Sequence, residues 1–453
     1  MKRQLLFIAS IMVSAASMAQ SFSGGTGTAA DPYLISNVND LKELSTMVDT
    51  PGEGDTQQTY GKYFKLTQDI TEPFKYMIGL EGFFKGDFNG NGHCINLDID
   101  MATDDYVGLF GTVKSGSVHD LAVKGSVKGR RYVGAIVANP TNEATLYNLA
   151  NYATVTSSYS SIAYVGGVIG GIISQSDGTS GGATVSRCAN YGTVSCDGGA
   201  VGGVIGYSGQ AVGNTISDIA NYGYVENKGA QRVGGAIGNP MWNDKIHRIA
   251  NFGTMSSDNI SGCIGNSNPT DLGEIFYDRQ YAHNSLEIPA QEKNTTEMTG
   301  GQMKALLGED WVYADGLLPR PNMEGLENSD IAILYATPVL LADGDYLQKV
   351  TKNFRVSLGN TAYGNVSWTA KNGLVEITED GKATIKGYGK ETLTASLNGE
   401  TRCIDINICS TNGINDITAA KKDCGVWYDI YGRKTDRTTR GIYIHNGKKI
   451  VVR

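Results

Sequence analysis

The sequence predicts an all-β protein dominated by a right-handed parallel β-solenoid. Three observations carry that reading. A Gly-Gly phrase and an Asn-aromatic phrase alternate with a period of roughly 30 residues, the mark of a repeat array. Between them lie short runs of Val, Ile and Tyr bounded by Gly, Asn and Ser, which read as strands of about 4–6 residues. No repeat carries apolar residues at helical spacing. Coils this short bury their apolar side only by stacking on the next coil.

The Gly-Gly phrase stands complete at Tyr164-Val165-Gly166-Gly167-Val168-Ile169-Gly170. It returns at Val201–Gly206 and Val233–Gly238, and in worn form at Val107–Gly111, Val133–Ile136 and Gly262–Gly265. The Asn phrase reads Cys188-Ala189-Asn190-Tyr191-Gly192, with counterparts at Ala150-Asn151-Tyr152, Ala220-Asn221-Tyr222-Gly223 and Ala250-Asn251-Phe252-Gly253. Alignment of the repeats assigns roles by column. Leu149, Cys188, Ile219 and Ile249 should point inward, as should Val168, Val204, Ala236 and Cys263. Asn151, Asn190, Asn221 and Asn251 should form a turn column whose amides bond along the axis and tolerate left-handed backbone. Tyr152, Tyr191, Tyr222 and Phe252 should stack beside it. The glycine after each aromatic supplies positive φ or room for the next coil, a rule that Ala153 breaks.

Over roughly residues 100–270 these alternating phrases resemble the GLUG-motif repeats of bacterial surface proteins. The resemblance implies a secreted solenoid. It carries over no catalytic residue, because the motif itself is structural.

Taken in order, the chain opens on Lys2 and Arg3, an apolar stretch at Leu5–Val13 and Ser17-Met18-Ala19, the pattern of a signal peptide over residues 1–19. The cleavage point lacks a Cys, which argues against a lipid anchor, and no later apolar run is long enough for a membrane helix. Residues 20–322 are assigned to the solenoid and its caps. Asp31–Ile35 reads as a strand. Asn37 reads as the N-cap of a short helix carrying Leu41, Leu44 and Met47, which would cover the first coil. Tyr63–Leu66 and Ile70 follow as strand. This order resembles the N-terminal cap found before GLUG arrays.

Asp87-Phe88-Asn89-Gly90-Asn91-Gly92 permits two readings. As a calcium loop, Asp87, Asn89, Asn91 and Gly92 fall on ligand positions with Asp98 at the twelfth, where a Glu is required. As a turn, Asn-Gly links two strands and His93 and Ile95 enter the first coil. The turn is the expected form. Thr299–Leu307 reads as a short helix, and with Trp311-Val312-Tyr313 it suits a cap at the far end.

Residues 331–410 lose the ~30-residue period and show alternating strands with Asp380-Gly381 and Asn398-Gly399 as hairpin turns, a small β-sandwich. Ser367-Trp368-Thr369 followed by Asp380-Gly381-Lys382-Ala383 resembles the bacterial Ig-like group 2 domain, with Trp368 in its core. Residues 414–453 hold two β phrases, Val426–Arg433 and Gly441–Arg453. Their Tyr-Asp-x-x-Gly-Arg and Gly-Ile-Tyr-Ile motifs resemble the C-terminal sorting domain of type IX secretion cargo. That resemblance implies the type IX machinery as a partner, and release outside the cell or attachment to the outer membrane.

The formal charge is −8 over 453 residues, and 59 glycines fit a turn-rich solenoid. From Ile414 onward nine Lys and Arg face four Asp, so the body before it stands near −13. Such a body argues against nucleic acid and anionic membrane surfaces as partners. Of seven cysteines, Cys188 and Cys263 replace Ile and Val in inward columns and read as buried hydrophobes. Cys403 and Cys409 sit too far apart in one strand to bridge. No Cys/His spacing suggests zinc.

An enzyme on this scaffold needs paired carboxylates or clustered cations. Asp197, Asp218, Glu226, Asp244 and Asp258 fall at different repeat offsets, and Arg187, Arg232 and Arg248 do not align. Asp218 and Asp244 read as solvated turn carboxylates. The expectation is a non-enzymatic, adhesin-like surface protein that binds a glycan or a host or matrix protein without a cofactor. The alternatives are a carbohydrate-active β-helix enzyme and a structural, fimbria-like component. Tyr106, Tyr132 and Tyr164, each just before a Gly phrase, could form an exposed aromatic strip for sugar stacking; buried ladder packing is the plainer reading.

Overall fold

The computed structural model describes residues 22–326 apart from 53–56, 174–180, 210–212, 230–231, 257–259, 267–268, 280–281, 283–289, 294, 299, 314–317 and 324–325. Beyond these it describes residues 339–340, 346–350, 355–359, 367–378, 382–397, 400–408, 427–429, 434–435, 441–445 and 448–452. The leader therefore lies outside the described residues, as do Asp258 and the Asp380-Gly381 turn.

The protein is an all-β parallel solenoid of about seven turns, followed by small antiparallel sheets. One full coil runs through four strands: Thr145–Asn151, Thr154–Ser157, Tyr164–Gly166 and Ile169–Ile173. Each pairs in parallel with its counterpart in the next coil, as Leu149 with Cys188 and Asn151 with Asn190. The first two columns belong to one 16-stranded sheet, the third to a six-stranded sheet and the fourth to a five-stranded sheet. The two predicted inward columns are fully buried.

The asparagine column is a hydrogen-bonded ladder. The Nδ2 of Asn151, Asn190 and Asn221 each donates to the Oδ1 of the next asparagine at 2.8 Å. Each Oδ1 also accepts the backbone N–H two residues on, and each Nδ2 reaches that residue's carbonyl. All four are 0 % exposed. Beside them Tyr152, Tyr191, Tyr222 and Phe252 stack with centroids 4.7, 4.9 and 5.1 Å apart.

This ladder explains the alternating phrases. A Cβ on Gly167, Gly203 or Gly235 would strike the amide of Asn190, Asn221 or Asn251, so the second glycine of each Gly-Gly phrase is the seat of an asparagine. Gly192, Gly223 and Gly253 serve close approach rather than positive φ: a Cβ there would meet a carbonyl of the preceding coil. Ala153 escapes the rule because its counterpart, Gly125, lies in a strand that runs unbroken through the corner, Ser117–Gly129.

The left-handed backbone falls elsewhere than expected. It occupies the residue three before each asparagine, Asn148, Arg187, Asp218 and Arg248, and the equivalent Asp120 and Glu274 in the flanking coils, all with φ between 50° and 57°. Strand register skips these positions, so they form a kinked column of their own. Two expectations are corrected here. Arg187 and Arg248 do align, with Asp218 between them, and Asp218 is buried rather than solvated. Its carboxylate accepts two bonds from Arg248, at 2.6 and 2.8 Å, and one from Trp311 Nε1 at 3.0 Å. Asp244 is buried too; Ser208 Oγ, the Asn214 side chain and two backbone N–H groups donate to it.

The N-terminal cap follows the expectation. Val38–Asp49 is an α-helix, and the Asn37 side chain accepts from the N–H groups of Asn39 and Asp40. Asp40 reaches back to the Ser36 N–H at 2.7 Å, a reciprocal cap. Leu41, Leu44, Met47 and Val48 close the core.

The C-terminal segment of the solenoid is not an end cap. It forms 3-10 turns at Thr295–Met298 and Gly300–Met303, a short helix at Lys304–Leu307, and a strand pair, Trp311–Val312 with Arg320–Pro321. It runs back along the outside as a strap. Met298, Met303, Leu307 and Trp311 cover Ala220, Ala250 and Phe276, while Met323 and Leu326 reach Ala122, Ala150 and Ala189. The alanine before each asparagine points outward, and its small size makes the seat. Tyr222 Oη donates to the Pro319 carbonyl at 2.5 Å.

Farther on, Gly389–Leu397 and Glu400–Ile408 form an antiparallel pair extended by Ser367–Ala370. Trp368 packs, partly buried, against Val375, Leu393 and Ile406. Leu397 pairs with Glu400, and the Asn398-Gly399 turn lies outside the described residues. The last sheet orders Lys434–Thr435, Trp427–Asp429, Gly441–His445 and Lys448–Val452, all antiparallel.

Candidate functional site

The three predicted tyrosines come together. Tyr106, Tyr132 and Tyr164 open the third strand of successive coils, in register. Their rings stack at 4.9 Å with 6° between planes, then at 5.2 Å with 26°. Tyr207 adds a fourth ring, 4.5 Å from Tyr164. Stacking along the axis turns ring edges outward and occupies both faces of Tyr132, which is only 9 % exposed, against 40 % for Tyr106. Burial, aided by the neighbouring tyrosines and opposed by Arg131, pushes the Tyr132 hydroxyl up to about 12.

At the Tyr164 end the wall opens into a hollow of about 300 Å³ lined by Ile162, Tyr164, Gly199, Ala200, Arg232 and Asn239. Ile162 stands half exposed on its rim. Arg232 NH1 donates to Asn239 Oδ1 at 2.7 Å, which fixes the guanidinium. The hollow thus offers an aromatic edge, an aliphatic lip and a preset fork of donors. Ile162, Arg232 and Asn239 carry no repeat signature, since they sit in loops or at one coil only. The available signal was Arg232 directly before a Gly phrase, where the four earlier coils carry Tyr106, Tyr132, Tyr164 and Ala200.

A polar cluster lies at the start of the first wall. His119 stacks on Tyr147 and sits between Asp120, at 2.7 Å from Nδ1, and Asp87, at 3.3 Å from Nε2. Ser117 Oγ also donates to Asp87. Burial works against the imidazolium, but the bonds to Asp120 and Asp87 outweigh it and raise His119 to about 9. Burial likewise opposes the ionised forms of Asp87 and Asp120, yet their bonds hold both below the ordinary carboxylate range. This cluster is an ion network. Ser117 bonds the Asp87 carboxylate rather than the imidazole, and that carboxylate, held below its ordinary range, is a poor base for activating the hydroxyl.

A histidine raised in the folded state contributes fully below its unfolded value near 6.5, and that contribution is lost as pH rises through about 9. Raising the pH across that window should cost at most about 3 kcal/mol, and His119→Gln should flatten the slope. Urea unfolding at several pH values, with the imidazole titrated by NMR, checks this.

The Asp87–Gly92 loop takes the turn form. Asn91 and Gly92 have φ of 51° and 80°, and the Asn89 Oδ1 accepts the Asn91 N–H at 2.6 Å. Asp87 is directed at Ser117 and His119, and Asp98 pairs with Lys75 at 3.4 Å, so the loop's carboxylates diverge. No group of three or more His, Cys, Asp or Glu could hold a metal among the described residues. Cys94, Cys188, Cys196 and Cys263 are free thiols; burial pushes Cys94 and Cys196 up to about 11 and Cys188 to about 12. Cys409 lies outside the described residues.

These features define the class: a parallel β-solenoid with open hollows on its walls. No family model matches the chain. It is 29 % identical over 164 residues to halomucin of Haloquadratum walsbyi, covering 32 % of this chain and 2 % of that protein. It is 32 % identical over 133 residues to a protein of Evansella cellulosilytica named as a Gly-rich membrane protein, covering 26 % of this chain and 14 % of that one. The chain thus spans a small fraction of either relative. A Bacteroides ovatus crystal structure, provisionally assigned as an immunoglobulin A1 protease, aligns with TM-score 0.43 and 18 % identity over 67 % of this chain and 96 % of that one. No helix among the described residues is long and apolar enough to cross a membrane.

Proposed function

We propose that this chain is a secreted, surface-displayed, non-enzymatic binding protein of adhesin type that takes an extracellular glycan or protein ligand on its solenoid wall. The observation that carries the reading is the hollow at the end of the tyrosine ladder. A stacked ladder holds Tyr164 rigid, and the Arg232–Asn239 bond presets the polar partner, so little ordering is lost on binding. Several observations support display at a surface. The leader pattern, the GLUG-like phrases, the Ig-like segment and the tail resembling a type IX sorting domain agree with one another. One relative is named as a membrane protein. Two of the acidic residues of the repeats, Asp218 and Asp244, are engaged in structural bonds.

Tyr164→Ala and Arg232→Ala should each weaken ligand capture on a glycan and matrix-protein array about tenfold or more. Tyr132→Ala, inside the stack, should instead lower the melting temperature. Unchanged capture by both of the first two variants would remove the hollow from the account.

A carbohydrate-active enzyme is the second reading, favoured by one observation. Asp87 and Glu143 line the same groove near the first coils. Release of reducing ends by the native chain, abolished in Asp87→Asn or Glu143→Gln, would establish it.

A further inference from the structure

We propose that this groove is a second binding site, for an anionic saccharide of the hexuronate class. It is open, holds about 430 Å³, and lies where the turn after Thr59 meets the corners of the first coils. Tyr60, Tyr63, Lys62, Lys85, Ser117 and Glu143 stand on its walls. It shares no residue with the tyrosine-ladder hollow.

Four features fit it to a charged sugar. First, Tyr60 is 71 % exposed, uncommon for so large a ring, and offers a face to the apolar side of a pyranose. Second, Lys85 Nζ lies 5.4 Å from the Tyr60 ring centroid, so cation and platform address one ligand. Third, Lys62, Lys85 and Lys114 pair with no carboxylate among the described residues, whereas Lys75, Lys128 and Lys228 do. In an acidic chain, Lys62 and Lys85, two ammonium groups on the groove wall with no carboxylate partner, make a local seat for an anion. Asp87 on the floor is already matched by His119 and Ser117, and so repels an anion less than a free carboxylate would. Fourth, the walls are preset. The buried Thr59 hydroxyl accepts the Lys85 N–H at 3.0 Å, and the Lys62 carbonyl accepts the Asp87 N–H at 2.9 Å. Gly86 has no room for a Cβ against the carbonyls of Thr59 and Lys62, so the turn is clamped to the coil. Glu143 and Thr145 line the same wall as partners for sugar hydroxyls, and Ser117 Oγ, its proton given to Asp87, is left as an acceptor.

Calorimetric titration of the intact chain tests this with a hexagalacturonate, a sulfated hexasaccharide and neutral maltohexaose. The hexagalacturonate should bind, more weakly as salt rises, and the neutral hexamer should not. Lys85→Met and Tyr60→Ala should each lose about tenfold in affinity with unchanged melting temperature, while Tyr164→Ala should bind as well as the native chain. Failure of both anionic probes, or binding that survives both substitutions, overturns the site. Preference for the sulfated probe overturns its assignment to a carboxylate. Because the Tyr164 and Tyr60 variants are read separately, this site and the ladder hollow stand or fall independently.

Discussion

Asn190→Leu should destabilise the solenoid by about 3–5 kcal/mol, one of the two largest single effects expected in this chain. The Asn190 amide accepts from Asn151, donates to Asn221 and closes a turn with both the N–H and the carbonyl of Gly192. All of this is out of water, so each partner left unmatched costs about 1–3 kcal/mol, partly offset where Asn151 and Asn221 keep their second bonds. Leucine also cannot fit the slot beneath Gly167. Urea unfolding followed by circular dichroism should show an earlier midpoint and, because repeat arrays divide at a weak interface, a transition split in two. Thr184→Ala, at the exposed start of the same strand, should move the midpoint little. A loss under about 1 kcal/mol for Asn190→Leu would mean the ladder does not hold the coils together.

Gly203→Ala is the companion case and should cost about 2–4 kcal/mol. The new methyl would lie against the Asn221 amide on one side and the Gly235 carbonyl on the other. Neither is the free end of a flexible chain, so a coil must shift. Gly301→Ala, whose Cβ would point into open space, is the matched control and should be near neutral. Equal behaviour of the two variants in thermal melts would contradict the seat assigned to the second glycine.

Much of this architecture was legible because it repeats. Columns such as Leu149–Cys188–Ile219–Ile249 recur with one chemistry, so a mere alignment of phrases recovers the core and the asparagine ladder. The kinked column escaped because its residues share a backbone conformation and no side-chain type: Asp, Asn, Arg and Glu alternate there. Arg187 and Arg248 stand directly before Cys188 and Ile249 and so share a column with Asp218 between them, but the alternation of opposite charges hid the shared kink and left Asp218 looking solvated. The strap was misread as an end cap for a related reason. Its length and apolar content were visible, but its path depends on the outward alanine column, which looks like filler until something packs on it. The candidate sites were least legible, because Ile162, Arg232 and Tyr60 belong to single coils or loops and no period marks them.

The central claim is binding without catalysis. Its most direct test is one experiment with two readouts on the intact chain: capture on a panel of glycans and matrix proteins, and reducing-end release from the same polysaccharides. The account predicts capture of a defined ligand class with no sugar released. Release above background, lost on Asp87→Asn, would contradict it and make the groove an active site.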